Sequence, residues 1–162
     1  MRQFVSEEFC LKCTGCCRFK DPDSIWSPVL LDEDRQVLLR NKVPSLFILS
    51  NNKIRLEYYQ KQDTFICSLL NQQDNKCTVY AFRPFECQLY PFMINRRNKD
   101  IFLSVDLKCP FVKENQDKSV FKEYIQYLTD LFNNPDLINS LRKNPQIIQA
   151  YEEVQDLIKL KI

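Results

Sequence analysis

The chain contains no histidine, and Gly15 is its only glycine. Without histidine there is no imidazole to serve as a general base, so any metal site must use thiolates, carboxylates, carbonyls or tyrosine. With a single glycine, a glycine-rich phosphate-binding loop is excluded. Basic residues exceed acidic ones only slightly, 23 against 21, which argues against a broad nucleic-acid-binding surface.

Long apolar runs are also missing. The first ten residues lack the apolar core and the small-residue cleavage site of a secretory signal. The best apolar run, residues 43–49, is interrupted by Pro44 and Ser45 and falls far short of the ~20 residues that a transmembrane helix needs. We therefore predict a cytoplasmic protein without membrane association, and in that compartment thiols are kept reduced.

Eight cysteines are the most informative residues that the sequence does contain. The first four are concentrated in the stretch CLKCTGCCRF, and the other four are spread over the following ninety or so residues. A disulfide framework is disfavoured because the predicted compartment is reducing. A buried, inert thiol is a reasonable interpretation for Cys109 alone, but not for the whole first group. We predict all eight as metal ligands: Cys10, Cys13, Cys16, Cys17, Cys67, Cys77, Cys87 and Cys109.

The spacing of the first group is typical of metal sites. Cysteines two residues apart can present their sulfurs to one point, and Gly15 would supply a positive φ or a close backbone approach there. Iron–sulfur clusters often use C-x2-C-x2-C runs, which Cys10, Cys13 and Cys16 match. An all-cysteine zinc site is the alternative. Since Cys16 and Cys17 should point apart, they either serve different metals or only one of them is a ligand.

Several charged and aromatic residues near the cysteines admit two interpretations. Arg18 and Arg83 could offset the negative charge of a four-thiolate site, or form surface salt bridges. Glu86 and Asp106 are the only nearby candidates for a catalytic acid or base, and we favour solvated surface carboxylates for both. Tyr80 and Tyr90 are expected to be core aromatics rather than ligands.

The patterning predicts an α+β fold: a small, compact cysteine-rich core with short strands and loops, followed by an amphipathic helical tail. We expect one domain over residues 1–162, with the metal-binding core in residues 1–112 and the tail, residues 113–162, packed on it. In the core, a helix capped by Asp32 is predicted, and alternation predicts strands near residues 53–60 and 100–108.

The tail contains three predicted helices. Apolar residues from Val120 to Phe132 recur at helical spacing, and Asn134 followed by Pro135 should begin a second helix. Asn144 and Pro145 repeat that signal, so a third helix is predicted to bury apolar residues between Ile147 and Ile158.

Three pieces of the sequence resemble the CxxCxxCC cysteine-cluster (YkgJ-like) family, which is described as zinc- or iron-chelating. The first is the run from Phe9 to Arg18, and the second is the helix start LLDEDRQVLL. The third is the long motif C-x-x-L…C-x-V-Y-x-x-R-P-x-x-C-x-x-Y-P-F, which runs from Cys67 to Phe92. The resemblance covers roughly residues 9–110 and implies metal chelation. A similar cysteine block in flagellin lysine methylases also raises an enzyme interpretation.

Three hypotheses follow from these observations. In the first, the thiols hold one or two iron–sulfur clusters, most simply 4Fe–4S, for electron transfer or iron handling. In the second, they hold structural Zn²⁺, and the helical tail binds a protein partner. In the third, the chain is a methylase-like or metal-dependent enzyme. Metal ions are the partners common to all three.

Overall fold

The computed structural model describes residues 1–13 and 15–162, and it confirms the predicted α+β class. The helices are α1 Glu7–Lys12, α2 Asp32–Arg40, α3 Phe85–Leu89, α4 Pro110–Asn115, α5 Ser119–Leu131 and α6 Pro135–Lys143. The strands are β1 Arg18–Phe19, β2 Leu56–Tyr59, β3 Thr64–Cys67, β4 Leu70–Asn71, β5 Lys76–Cys77, β6 Phe92–Arg97, β7 Asp100–Val105 and β8 Gln155–Leu160.

The chain forms two compact units, which we describe separately. The thiol unit is Ser6–Gln88, and the sheet unit combines Met1–Val5 with Leu89–Ile162. Seven of the eight cysteines belong to the thiol unit, and Cys109 belongs to the sheet unit.

The thiol unit contains two small antiparallel sheets. One has the strand order β1-β3-β2, and the other is the hairpin β4-β5. Its core includes Leu30, Leu38, Ile54 and Ile66, none of which is more than 2% exposed. Three cysteines contribute to the same core, because buried Cys67 belongs to it and Cys17 and Cys77 pack against it. The apolar core therefore extends up to the cysteine-bearing strands.

The sheet unit is organised around a three-stranded antiparallel sheet with the order β6-β7-β8. The hairpin of β6 and β7 is in register from Phe92 opposite Val105 to Arg97 opposite Asp100. An aromatic cluster fills the core. The centre of the Phe4 ring lies 5.5 Å from the ring centre of Phe92, 5.1 Å from that of Phe111 and 5.0 Å from that of Tyr124. Edge-to-face packing of this kind stabilises a core beyond the area that it buries.

Most of the predicted elements are present. The helices from Ser119 and from Pro135 are confirmed, and Asn134 caps the second through hydrogen bonds to Asp136 N and Leu137 N. The predicted strands appear as β2 and β7. The helix α2 also forms, but its first turn is fixed by the Asp34 carboxylate, which accepts from Leu31 N at 3.0 Å, and not by Asp32 as cap.

The predicted third tail helix is wrong. After a single 3-10 turn at Pro145–Ile147, the chain extends and forms β8. Strand β8 pairs with β7, with Ile101 opposite Leu160 and Leu103 opposite Ile158. The apolar residues of this segment satisfy helical and extended spacing almost equally well, and the free edge of β7 decides the outcome in favour of a strand.

Candidate metal centre

The first cysteine motif begins on a helix and ends in a turn. Ser6 caps α1 by accepting a hydrogen bond from Phe9 N, and Glu7 and Glu8 occupy the first turn, where the helix dipole favours negative charge. Cys10 lies in α1, and Cys13 is its C-cap residue. Both side chains are partly exposed.

Gly15 differs in part from the prediction. No glycine has a positive φ, so this position does not require the left-handed region. A Cβ built there would lie 3.5 Å from Cys13 Sγ, which is an ordinary van der Waals distance. What Gly15 contributes is the close approach of backbone and sulfur, and a small side chain would fit without a clash.

Cys16 and Cys17 are not equivalent. Cys16 is exposed, whereas Cys17 is half-buried and its carbonyl accepts from Cys67 N at 3.1 Å. A hydrogen bond between the two thiols raises the pKa of Cys16 well above its ordinary value. Although the residue as a whole is exposed, its sulfur is enclosed enough for burial to add to that rise. The backbone at Cys17 thus fastens the motif to β3. The prediction that Cys16 and Cys17 point apart is wrong, because their thiols form a hydrogen bond with each other.

Three further thiols arrive from three different elements. Cys67 ends β3, Cys77 ends β5 opposite Leu70, and Cys87 lies in α3. Burial raises the pKa of Cys67 to about 12 and, together with the charges of neighbouring thiols, raises the pKa of Cys87 well above its usual range. Burial also raises the pKa of Cys77.

These three thiols and Cys16 influence one another electrostatically. A charge on Cys16 disfavours ionisation of Cys67, Cys77 and Cys87, and charges on Cys67 and Cys77 act in the same way on Cys87. We call this set, Cys16, Cys67, Cys77 and Cys87, the inner thiols. Because like charges raise a neighbour's pKa, these four cysteines, which come from separate parts of the chain, belong to one neighbourhood of the fold.

One arginine lies beside the inner thiols. The positive charge of Arg83 favours the ionised forms of Cys16 and Cys77. The guanidinium carbon stands 3.8 Å from the centre of the Tyr80 ring, which is a close cation–π contact. Arg18, the other predicted charge partner, instead donates from Nε to Gln62 Oε1 at 3.1 Å.

The acidic side chains near Cys87 hold backbone groups. The Asp34 carboxylate accepts from Phe85 N at 3.0 Å, and Glu86 Oε2 accepts from Val29 N at 2.5 Å. The start of α3 and the segment before α2 are therefore joined by one carboxylate from each side. Burial raises the pKa of Asp34, despite the hydrogen bonds from Phe85 N and Leu31 N that oppose the rise. Glu86 is a structural carboxylate here, rather than the solvated one that we expected.

The sheet unit contains the eighth cysteine and the second acidic candidate. Cys109 is buried, immediately precedes α4, and donates from its backbone N to Asp106 O. Asp106 is only 6% exposed, so the prediction of a solvated carboxylate is wrong. It accepts from the Tyr90 hydroxyl at 2.9 Å and from Lys108 N at 2.8 Å. Because the Tyr90 hydroxyl donates to this carboxylate, the structure agrees with a structural role for Tyr90.

The inner thiols have the donor atoms of a metal site, but they are not arranged at the distances that a bound ion requires. Within residues 1–13 and 15–162, no group of three or more cysteine, aspartate or glutamate side chains is arranged as a ready-made ion site. The eight cysteines all lie in these ranges, and none of them forms a disulfide. Among the same residues, no helix is long and apolar enough to cross a membrane. Four neighbouring thiols without imidazole fit the soft metals that prefer thiolate ligands, namely zinc and iron.

Two parts of this site were not foreseen from the sequence. The pairing of Asp34 with α3 joins residues about fifty positions apart, and no local pattern indicates it. The second is Asn75, whose side chain reaches the end of α1. Its only sequence signal is an asparagine in the turn-forming stretch NQQDNK, and asparagine tolerates a positive φ.

The site therefore defines a class: a thiol-rich metal-binding protein with an α+β fold. Comparison with known families agrees, because residues 9–110 match the family "CxxCxxCC: Putative zinc- or iron-chelating domain". Since that match covers more than half of the 162 residues, the chain belongs to this family, and metal binding is the function that its membership supports. No curated protein and no solved structure matches the chain.

Proposed function

We propose that the chain binds an iron–sulfur cluster of the 4Fe–4S type through the thiolates of Cys16, Cys67, Cys77 and Cys87. The observation that carries the proposal is the electrostatic coupling of these four thiols, which come from a turn, two strands and a helix. Four thiolates are the usual ligands of such a cluster.

The surroundings of the inner thiols support a bound thiolate site. Unbound, the buried thiols are costly to ionise, since burial raises the pKa values of Cys67, Cys77 and Cys87. A metal replaces the protons and stabilises the thiolates. Arg83 supplies a positive charge beside a site whose ligands are all anionic, and the Tyr80 ring holds its guanidinium in place.

The remaining thiols would then have other tasks. Cys17 provides a backbone contact to β3, and Cys10 and Cys13 lie on the helix that leads into the site. Their participation as ligands, and that of Cys109, stays a prediction. A bound cluster would accept and release single electrons, which suits a role in electron transfer or iron handling.

A structural zinc site is the second candidate, and it rests on the same four thiols. A closed set of four cysteines is a common ligand set of structural zinc, and the burial of Cys67 suits a site without an open coordination position. The two proposals differ in the metal and not in the ligands.

Metal analysis of protein purified without oxygen tests the proposal. We expect a brown protein containing iron and acid-labile sulfide in equal amounts, and loss of both in a Cys67→Ser variant. A colourless protein with one equivalent of zinc would replace the first proposal by the second. A protein that contains neither metal after growth with iron and zinc would contradict both.

A further inference from the structure

One side chain fastens the end of the first cysteine helix to the hairpin that carries Cys77. Asn75 lies in the turn between β4 and β5, two residues before Cys77, with a φ of 58°. Its Nδ2 donates to Leu11 O at 3.0 Å and to Cys13 O at 3.2 Å. The last carbonyls of a helix have no partner within the helix, so this amide satisfies two of them at once.

The same contact fixes one side of the segment that contains Cys16. On its other side, Cys67 N donates to Cys17 O at 3.1 Å, and Phe19 pairs with Phe65 in the sheet. Cys16 is the inner thiol whose residue as a whole is exposed. Attachments on either side of it include those at Cys13 and Cys17, and Arg18 N donates to Gly15 O at 3.1 Å.

Asn75 makes this contact at an energetic cost. Its Oδ1 is buried and has no hydrogen-bond partner among the described residues. A buried acceptor without a partner loses its hydration and gains nothing in return. In addition, φ > 0 is tolerated by asparagine better than by most residues but is still disfavoured. Both costs are consistent with a side chain selected for the bonds that its Nδ2 makes.

We infer that Asn75 is a positioning residue for the metal site: it anchors the backbone of Cys13, three residues before the inner thiol Cys16, and so slows release of the metal. The inference rests on the proposed function for the identity of the ligands. It assigns to Asn75 the kinetic closure of the site, since opening the Cys16 segment would expose the bound metal to competing ligands.

Two substitutions separate the anchor from the backbone conformation. Asn75→Gly retains access to the positive φ but removes both hydrogen bonds. Asn75→Asp keeps the size of the side chain but presents only oxygen to the two carbonyls. The matched control is Asn98→Gly, because Asn98 has a φ of 56° in the turn between β6 and β7 of the sheet unit.

The measurement is the release of iron and zinc from the purified, metal-loaded full chain to an excess of a chromophoric chelator. We expect about tenfold faster release from both Asn75 variants, since tenfold corresponds to about 1.4 kcal/mol, which is on the scale of the hydrogen bonds removed. Asn98→Gly should stay within about twofold of wild type. Because the ligands are unchanged, the absorption spectrum of the bound metal should keep its shape.

Each outcome decides one claim. Release that is unchanged in Asn75→Gly, or accelerated equally in Asn98→Gly, overturns the role of Asn75. A wild-type protein that holds no metal overturns the proposed function instead. If both Asn75 variants fail to fold, hydrogen exchange on the metal-loaded wild type takes their place. Residues 9–13 and 71–77 should then open with the same free energy, and separate openings overturn the inference.

Discussion

The sheet unit and the thiol unit treat their ionisable groups in opposite ways. In the sheet unit, the Asp156 carboxylate accepts hydrogen bonds from Ser104, Asn95 and Arg97, at 2.6, 2.9 and 3.1 Å. Burial alone would raise the pKa of Asp156, but these three donors outweigh it and lower the pKa. The protein itself therefore supplies the hydrogen-bond donors that stabilise the charged form of Asp156.

In the thiol unit, ionisation is opposed instead. Burial and the charges of other inner thiols raise the pKa values of Cys67, Cys77 and Cys87, and a hydrogen bond with Cys17 raises the pKa of Cys16. The positive charge of Arg83 offsets only part of the rise in the pKa values of Cys16 and Cys77. In the sheet unit the protein thus supplies the hydrogen-bond partners of its carboxylate, whereas in the thiol unit a bound cation would favour the ionised thiols.

Metal removal should separate the two units most strongly. Because the binding free energy of a structural thiolate site contributes directly to folding, often about 10–16 kcal/mol for zinc, its loss should destabilise the thiol unit severely. We expect hydrogen exchange after chelation to accelerate throughout residues 6–88, with amides of β6 and β7 still protected. Equal loss of protection in both units would break the comparison.

Two cysteine substitutions, one in each unit, should sharpen the comparison between the thiol unit and the sheet unit. Cys87→Ala removes an inner thiol, and we expect loss of most of the bound metal, as measured by elemental analysis of the purified variant. Cys109→Ala removes the buried thiol of the sheet unit and leaves the inner thiols intact, so metal content should stay unchanged. Metal loss in Cys109→Ala would assign that residue to the site and would contradict our choice of ligands.

A core substitution in the sheet unit tests whether destabilising that unit leaves the metal content unchanged. Leu128 is fully buried in α5, and Leu128→Ala should lower the free energy of unfolding by about 2–5 kcal/mol, because it removes apolar contacts and leaves a cavity. Chemical denaturation measures the change. The metal content of the folded variant should equal that of wild type, and a parallel loss of metal would argue against separate stabilisation of the two units.

The Asp156 network predicts a smaller effect with a defined pH dependence. Since its pKa is lowered in the folded state, Asp156 stabilises the protein above the unfolded value of about 3.9 and loses this contribution as the pH falls through the folded pKa. Asp156→Asn should cost about 1–3 kcal/mol at neutral pH, the worth of a hydrogen bond to a charged group. It should also flatten the acid side of the stability profile.

Thermal denaturation between about pH 2 and pH 7 measures both quantities, because this range spans the titration of a carboxylate. Asp130→Asn is the control, because Asp130 is exposed and accepts a hydrogen bond from the neighbouring Gln126 in the same helix, α5. An unchanged acid profile in Asp156→Asn would show that the network does not contribute to stability.

The contact between Tyr80 and Arg83 should give the smallest change. Tyr80→Leu removes the ring beneath the guanidinium, and a cation–π contact at a partly exposed ring contributes about 0.5–1 kcal/mol, so metal affinity should fall by up to about fivefold. Tyr80→Phe keeps the ring and should bind like wild type in a chelator competition. Equal loss in both variants would assign the effect to the hydroxyl and not to the cation–π contact.

Local signals in the sequence were enough for part of this architecture. The stripe from Val120 to Phe132 predicted α5, and the pair Asn134–Pro135 predicted the start of α6, because capping and periodicity act within a few residues. The terminal segment failed for the opposite reason. Its apolar residues fit a helix or a strand, and only the edge of β7 made it β8.

In the candidate site, too, some features could be predicted from the sequence and others could not. Composition identified the donor atoms, since a chain with eight cysteines and no histidine leaves thiolates as the natural soft ligands. It did not indicate that Cys109 lies in another unit, or that Asp34 holds the start of α3. Neither the Phe4 ring in the sheet unit nor the amide of Asn75 at the end of α1 has a local signature.

By itself, the sequence determined which atoms could bind a metal and which chemistry was excluded, because both depend only on side-chain types. Tertiary structure decided which thiols become neighbours, which carboxylates are used for backbone hydrogen bonds, and which side chain reaches the end of α1. Those choices depend on contacts such as that of Cys67 N with Cys17 O and that of Asn75 Nδ2 with Cys13 O, and segments far apart along the chain meet only when the core brings them together.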